Sequence, residues 1–316
     1  MSFRNNPVQA AFYSASKLDS YSSFVRNQGR FMQKTLAQSA SCVGVGVHSG
    51  ASTSLTLYPA LEGTGYLFVR TDVAGFKNKI LARYDSVFDT MMCTKIANSH
   101  GVSVSTVEHI IAALSGADIT NAVIELSGPE VPIMDGSSLA FSKMIDRAGT
   151  QIQDSCIPTL KILKPVKVTH GNASAEFVPG DGRTISVCFK GHERLQNLTD
   201  STEFSFDFEA DDFSGLLSDA RTFGFYEDAE KLWAAGLAKG ASLENTVVIQ
   251  DEKVMNEGGL RSEDEFIRHK VLDAIGDLAL SNVAIIGHFS GINSGHALNN
   301  QLLRVLFATP DAWIMG

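Results

Sequence analysis

Apolar and polar residues follow two periods along this chain. Ser54-Leu55-Thr56-Leu57-Tyr58 alternates as a half-buried strand does, and Tyr66 to Arg70 reads as its partner. A helical period follows at about 106–115, then a strand at 121–127 that Gly128-Pro129-Glu130-Val131-Pro132 ends, then a helix from about Ser138 to Ala148. After Cys156-Ile157-Pro158 the pattern restarts, with strands near 160–169, 173–178, 184–190 and 203–208. Helices near 211–217, 227–235 and 263–280, a strand at 283–290 and a helix near 296–308 complete it. The order strand–strand–helix–strand–helix occurs on both sides of 156, without the βαβ rhythm of a doubly wound sheet. The expectation is an α+β chain with two domains of related architecture, 34–156 and 157–316.

Composition narrows the function classes. With 26 Lys and Arg against 35 Asp and Glu, the net charge of −9 and the lack of any basic tract argue against a nucleic-acid partner. Cys42, Cys93, Cys156 and Cys188 are scattered without a C-x-x-C pair, which points away from a disulfide framework or a cysteine zinc site and toward a reducing compartment. No apolar run approaches the length of a membrane span, so a cytoplasmic protein is expected. Residues 1–33 differ, being rich in Ser, Asn and Gln, with Arg4, Lys17, Arg26 and Arg30 against Asp19 alone. They read as a disordered or loosely docked bacterial extension, with an organelle transit peptide as the alternative.

The densest candidate chemistry lies in Arg261 to Asp277. Ser262 and Glu265 have the spacing of a capping box, and acids crowd the first turn. Ile267, Val271, Ala274 and Leu278 form an apolar stripe, while His269, Asp273 and Asp277 recur every four residues on another. A His and an Asp one turn apart can grip one metal ion. A solvated polar face and an acyltransferase base in H-x-x-x-D spacing remain open alternatives. Ser105-Thr106-Val107-Glu108-His109 poses a similar choice, because Ser105 and Glu108 also fit a capping box. In the first turn the helix dipole favours a neutral, metal-binding imidazole at His109. Neighbouring residues diverge by about 100° around a helix, so Glu108 would stand beside that metal as a general base without ligating it. His296 opens a helix after Gly295, a place more typical of a structural His. Thr222-Phe223 by itself reads as core, and Cys93 as a buried small hydrophobe.

Taken together, these segments resemble the bacterial UDP-3-O-acyl-N-acetylglucosamine deacetylases over roughly 34–313. The resemblance is carried by Gly44 to Gly50, Ser105 to His109, Pro132 to Ser137, Ala220 to Phe225, Glu263 to Asp277 and Ser294 to Asn300, in the family's order and spacing. It implies two α+β domains with helices layered on sheets, each with a small insert bordering an interdomain site. The second insert, near 224–260, would supply Leu232, Trp233, Ala234, Ala235 and Leu237 to an apolar passage for the acyl chain. His109, His269 and Asp273 would ligate zinc, although such a set also accepts Fe(II) or Co(II). Glu108 would be the base and His296, oriented by Asp277, the second acid–base group. Thr222 and Lys270 would stabilise the oxyanion, Phe223 would contact substrate, and Cys93 would be able to ligate excess inhibitory zinc.

The implied reaction is hydrolysis of the N-acetyl group of an acylated UDP-sugar in lipid A biosynthesis, by an enzyme expected to be a monomer with a bell-shaped pH profile set by Glu108 and His296. Two departures from the family pattern stand out. Asn293 occupies a position that is often basic, and Phe189-Lys190-Gly191-His192-Glu193 only loosely matches an Asp-Phe-x-His-Pro segment. Rival readings are a metal-free nucleotide-sugar binder, an acyltransferase, and a zinc hydrolase of another N-acetyl sugar. The absence of G-x-G-x-x-G and P-loop motifs removes the usual phosphate cradles.

Overall fold

The structure is a computed structural model that describes residues 31–191, 194–195 and 198–316. The extension expected over residues 1–33 therefore lies outside the described residues up to residue 30, as do His192 and Glu193 of the loose match. Met32 and Gln33 are a correction to that expectation. They open the strand Met32–Leu36, which pairs antiparallel with Thr150–Cys156. Gln33 is held there because its side-chain amide bonds Cys156 O, Gly63 N and Asn121 Nδ2, a polar anchor that hydropathy does not register.

Among the described residues six α-helices accompany the strands: α1 (Glu108–Gly116), α2 (Leu139–Ala148), α3 (Phe213–Leu216), α4 (Ala229–Ala234), α5 (Glu265–Ala279) and α6 (His296–Phe307). The fold is α+β, as the sequence suggests. A five-stranded sheet runs in the spatial order Ala40–Val45, Ser52–Pro59, Ala122–Leu126, Tyr66–Arg70, Lys79–Leu81. Its alternation buries Leu55, Leu57, Phe68, Ile124 and Leu126 on one face. Tyr66–Arg70 is not the partner of Ser52–Pro59. The strand Ala122–Leu126 lies between them, antiparallel to Ser52–Pro59 and parallel to Tyr66–Arg70, and because it uses both its edges the outer two cannot pair with each other.

A seven-stranded sheet is built around Ala284–Ile292, which pairs with Ala173–Val178, Arg183–Cys188 and Thr159–Ile162. Two small three-stranded sheets stand apart: Val87–Asp89, Lys95–Ala97 and Ser103–Val104 form one, and Phe223–Phe225, Val247–Gln250 and Lys253–Val254 the other. Among the described residues no strand pairing joins a strand ending at or before Cys156 to one beginning at or after Thr159. The apolar core nevertheless continues through α1 and α5, with Ile110, Ile111 and Leu114 in the same cluster as Val271, Leu272 and Ile275. Each such side chain contributes about 1.5–3 kcal/mol by leaving water.

The α1–α5 crossing sets the position of the site. A Cβ on Gly276 would lie 2.1 Å from the carbonyl oxygen of Glu108, so only glycine permits this approach. The first turn of α1 is thereby laid against the middle of α5. That helix is buried on nearly every side, its acids and His269 included, which rules out the alternative of a solvated polar face.

Candidate active site

Neither capping box forms. The residue before α1 is Val107 and the one before α5 is Asp264, and neither makes a side-chain cap bond. Glu108 instead turns inward, where its Oε2 accepts from the backbone N–H of Thr94 at 3.0 Å. Glu265 accepts the Arg221 guanidinium at 2.7 and 3.0 Å, together with the N–H groups of Arg221 and Arg261. Burial explains the choice, since a carboxylate removed from water needs strong partners more than it needs a helix end.

His109 from α1 meets His269 and Asp273 from α5. Their donor atoms all lie within 4.8 Å of one another, and the three residues are buried. The rings of the two histidines are edge to face, 5.1 Å between centroids. His269 donates its Nδ1–H to the carbonyl of Ala220 at 3.0 Å, which leaves a lone pair on Nε2. That nitrogen faces Asp273 Oδ1 at 3.4 Å, and His109 Nε2 lies 3.7 Å from the same oxygen. Asp273 Oδ1 and His109 Nδ1 have no hydrogen-bond partner. Burial drives the His269 pKa down, despite the pull of Asp273 upward, to about 3, so the imidazole is neutral. Burial also opposes the charge on Asp273, yet its neighbours, the Lys270 ammonium among them, hold it well below the usual carboxylate range. An anionic oxygen facing a neutral imidazole's lone pair is repulsive unless a cation sits between them. The donor set fits a divalent ion of the kind that His and carboxylate ligands bind.

A second group lies alongside. His296, at the start of α6, is 2.8 Å from Asp277 Oδ2 through Nδ1 and 3.7 Å from Glu108 Oε1 through Nε2. Asp277 also accepts from Asn299 Nδ2 at 2.9 Å and from the Thr94 hydroxyl at 2.6 Å. Burial disfavours the imidazolium, but Asp277 and Glu108 outweigh it and raise His296 to about 10. Burial raises Glu108 in turn, and the nearby His296 only partly counters that. Two neighbouring groups are thus prepared for opposite tasks, one to accept a proton and one to donate it.

Of the other candidates, Lys270 donates to Asp273 Oδ2 at 2.7 Å and lies 5.4 Å from the centre of the Phe223 ring. Burial opposes the Lys270 charge, and Asp273 more than offsets it. Phe223 sits edge-on to His269 at 6.3 Å. Thr222, next in the chain to Phe223, is tied by its backbone to Gly136 O and Val247 N. Cys93 is fully buried outside the metal-donor group, and burial, reinforced by Glu108, pushes its thiol up to about 12.

Residues 33–308 match the profile of the UDP-3-O-acyl N-acetylglycosamine deacetylases. The chain belongs to this family. It is 45% identical over 282 residues to the UDP-3-O-acyl-N-acetylglucosamine deacetylase of Phenylobacterium zucineum (strain HLK1), a match covering 89% of this chain and 95% of that one. The enzymes of the same name from Histophilus somni (strain 129Pt) and Vibrio vulnificus (strain YJ016) are each 44% identical, over 89% of this chain and 92% of theirs.

In this deacetylase-family chain, further residues of the matching segments support the site in roles that the motifs alone do not assign. Arg221 and Glu265 fasten the segment carrying Ala220, Thr222 and Phe223 onto α5 one turn before His269. Asn299 braces Asp277 from the helix after Gly295; it lies within the Ser294 to Asn300 match, which by itself assigns it no role. At the departure from the family pattern, Asn293 takes a left-handed φ of 48° and exchanges two hydrogen bonds with the backbone of Lys190.

Proposed function

We propose that His109, His269 and Asp273 hold a zinc ion and that the surrounding residues carry out the family's deacetylation. The substrate is UDP-3-O-(3-hydroxyacyl)-N-acetylglucosamine, and the products are acetate and UDP-3-O-acyl-glucosamine, the committed step of lipid A biosynthesis. The observation that carries the metal assignment is the buried Asp273 oxygen without a donor, facing the unprotonated His269 nitrogen at 3.4 Å. A divalent ion bound there lowers the pKa of water and polarises a carbonyl.

The chain's own groups do the rest. Glu108 takes the proton of the water that attacks the acetyl carbon, its carboxylate aimed by the Thr94 N–H. Thr222 and Lys270 stabilise the negative oxygen that develops as the carbonyl π bond opens. His296, protonated and oriented by Asp277, gives its proton to the sugar nitrogen as the C–N bond breaks. Phe223 contacts the substrate, and Cys93 borders the metal site. In this reading the chain has two domains, the first ending at 156 and the second spanning 157–316 with its insert near 224–260. The apolar residues of that insert line the acyl passage. The enzyme works as a cytoplasmic monomer, needs no nucleic acid, and none of its described helices is long and apolar enough to cross a membrane.

The decisive assay is acetate release from the acylated UDP-sugar, with elemental analysis of the purified protein. Release that stops in chelator and returns with zinc is the expected result. Full activity in chelator, or dependence on an acyl thioester, would refute the proposal.

A further inference from the structure

Thr94 is buried, with 1% of its surface exposed, and all its polar groups are committed. Its N–H donates to Glu108 Oε2 at 3.0 Å, and its carbonyl accepts from the N–H of Val107, just before α1, at 3.4 Å. Its hydroxyl donates to Asp277 Oδ1 at 2.6 Å. The other oxygen of Asp277 is engaged by His296 and Asn299. One residue from the short segment before Lys95–Ala97 therefore bonds both to the carboxylate that takes a proton and to the one that aims the imidazole giving a proton.

We propose that Thr94 is a positioning residue for deacetylation, fixing Glu108 and the Asp277–His296 pair relative to each other across the α1–α5 crossing. This rests on the roles given above to Glu108 and His296. With donors on both oxygens, the Asp277 carboxylate cannot rotate, and the ring it holds cannot tilt. Without the hydroxyl, Oδ1 is left in dry surroundings lacking a partner, so the carboxylate turns toward other donors and carries His296 with it. Proton transfer is sensitive to such displacement, because a shift of about 1 Å is enough to cost about 100-fold in rate.

The test compares Thr94→Val, which keeps shape and backbone N–H, with Thr94→Ser, which keeps the hydroxyl. Thr94→Val is expected to lower kcat about 10–100-fold, leaving KM within about twofold and the bound metal unchanged. Thr94→Ser is expected to recover most of that loss, and Thr94→Ala serves in place of valine if the latter does not fold. In an Asp277→Asn background the valine substitution should add less than about threefold, since the route it acts through is already broken. An unchanged kcat in Thr94→Val, a serine variant as slow as valine, full additivity with Asp277→Asn, or loss of metal would each overturn the proposal. Failure of the underlying assignment has a different sign: Glu108→Gln and His296→Ala enzymes that deacetylate at the wild-type rate, which would overturn both.

Discussion

The two halves of the candidate site each pair histidine with a buried carboxylate of α5, yet they end in opposite states of satisfaction. Around Asp277 every carboxylate oxygen has a donor, and His296 is held where it keeps its proton. Around Asp273 one oxygen is bonded to Lys270, while the other faces two imidazole nitrogens and accepts no hydrogen bond. Both carboxylates lie on α5, one turn apart and equally removed from water. The difference shows that burial does not decide function; what remains unpaired after folding does. A satisfied His–carboxylate pair stores a proton, whereas an unsatisfied one calls for a cation.

That contrast can be broken most sharply by one substitution on each side. His269→Ala should abolish bound metal and acetate release together, read by elemental analysis and product assay, while a metal-replete and active variant would dissolve the distinction. Glu108→Gln, by contrast, should keep the metal and lower kcat about 10²–10⁴-fold, the usual contribution of a general base. Parallel loss of metal in both variants would mean that the two groups are one.

The crossing that brings the groups together is tested by Gly276→Ala. Its methyl would meet the Glu108 carbonyl, so a loss of about 3 kcal/mol in urea unfolding is expected, together with slower turnover. Wild-type stability would show that the helices have room to separate. The smallest effect sharpens the proton side alone. Glu108 acts deprotonated and its pKa is raised, so kcat/KM should fall on acidification at a pH above the ordinary carboxylate range. His296 acts protonated, so the alkaline limb should fall through about 10. Each limb should approach about tenfold per pH unit, and a profile flat across the measured range would remove the pairing.

Much of this was legible in the chain. The period-two run at Ser54–Tyr58, the helix starting near Glu108 and the long helix after Glu263 are found close to where the pattern puts them, because each buries a regular apolar face. The short strands of the two small sheets were not legible. Runs such as Lys95–Ala97 and Phe223–Phe225 hold three residues each, too few for a period, and exist only because a partner strand is beside them. The capping boxes misled for a related reason, since Glu108 and Glu265 meet stronger partners from distant segments, Thr94 and Arg221.

By itself the sequence determined which residue types stand one helical turn apart on α5, and hence that His269 and Asp273 share a face whatever the rest of the chain does. Only the tertiary structure decided that His109 joins them while Glu108, its neighbour, turns to His296. That outcome depends on two helices meeting at Gly276, with 160-odd residues of chain between the partners, and long-range encounter is set by packing that no local pattern encodes.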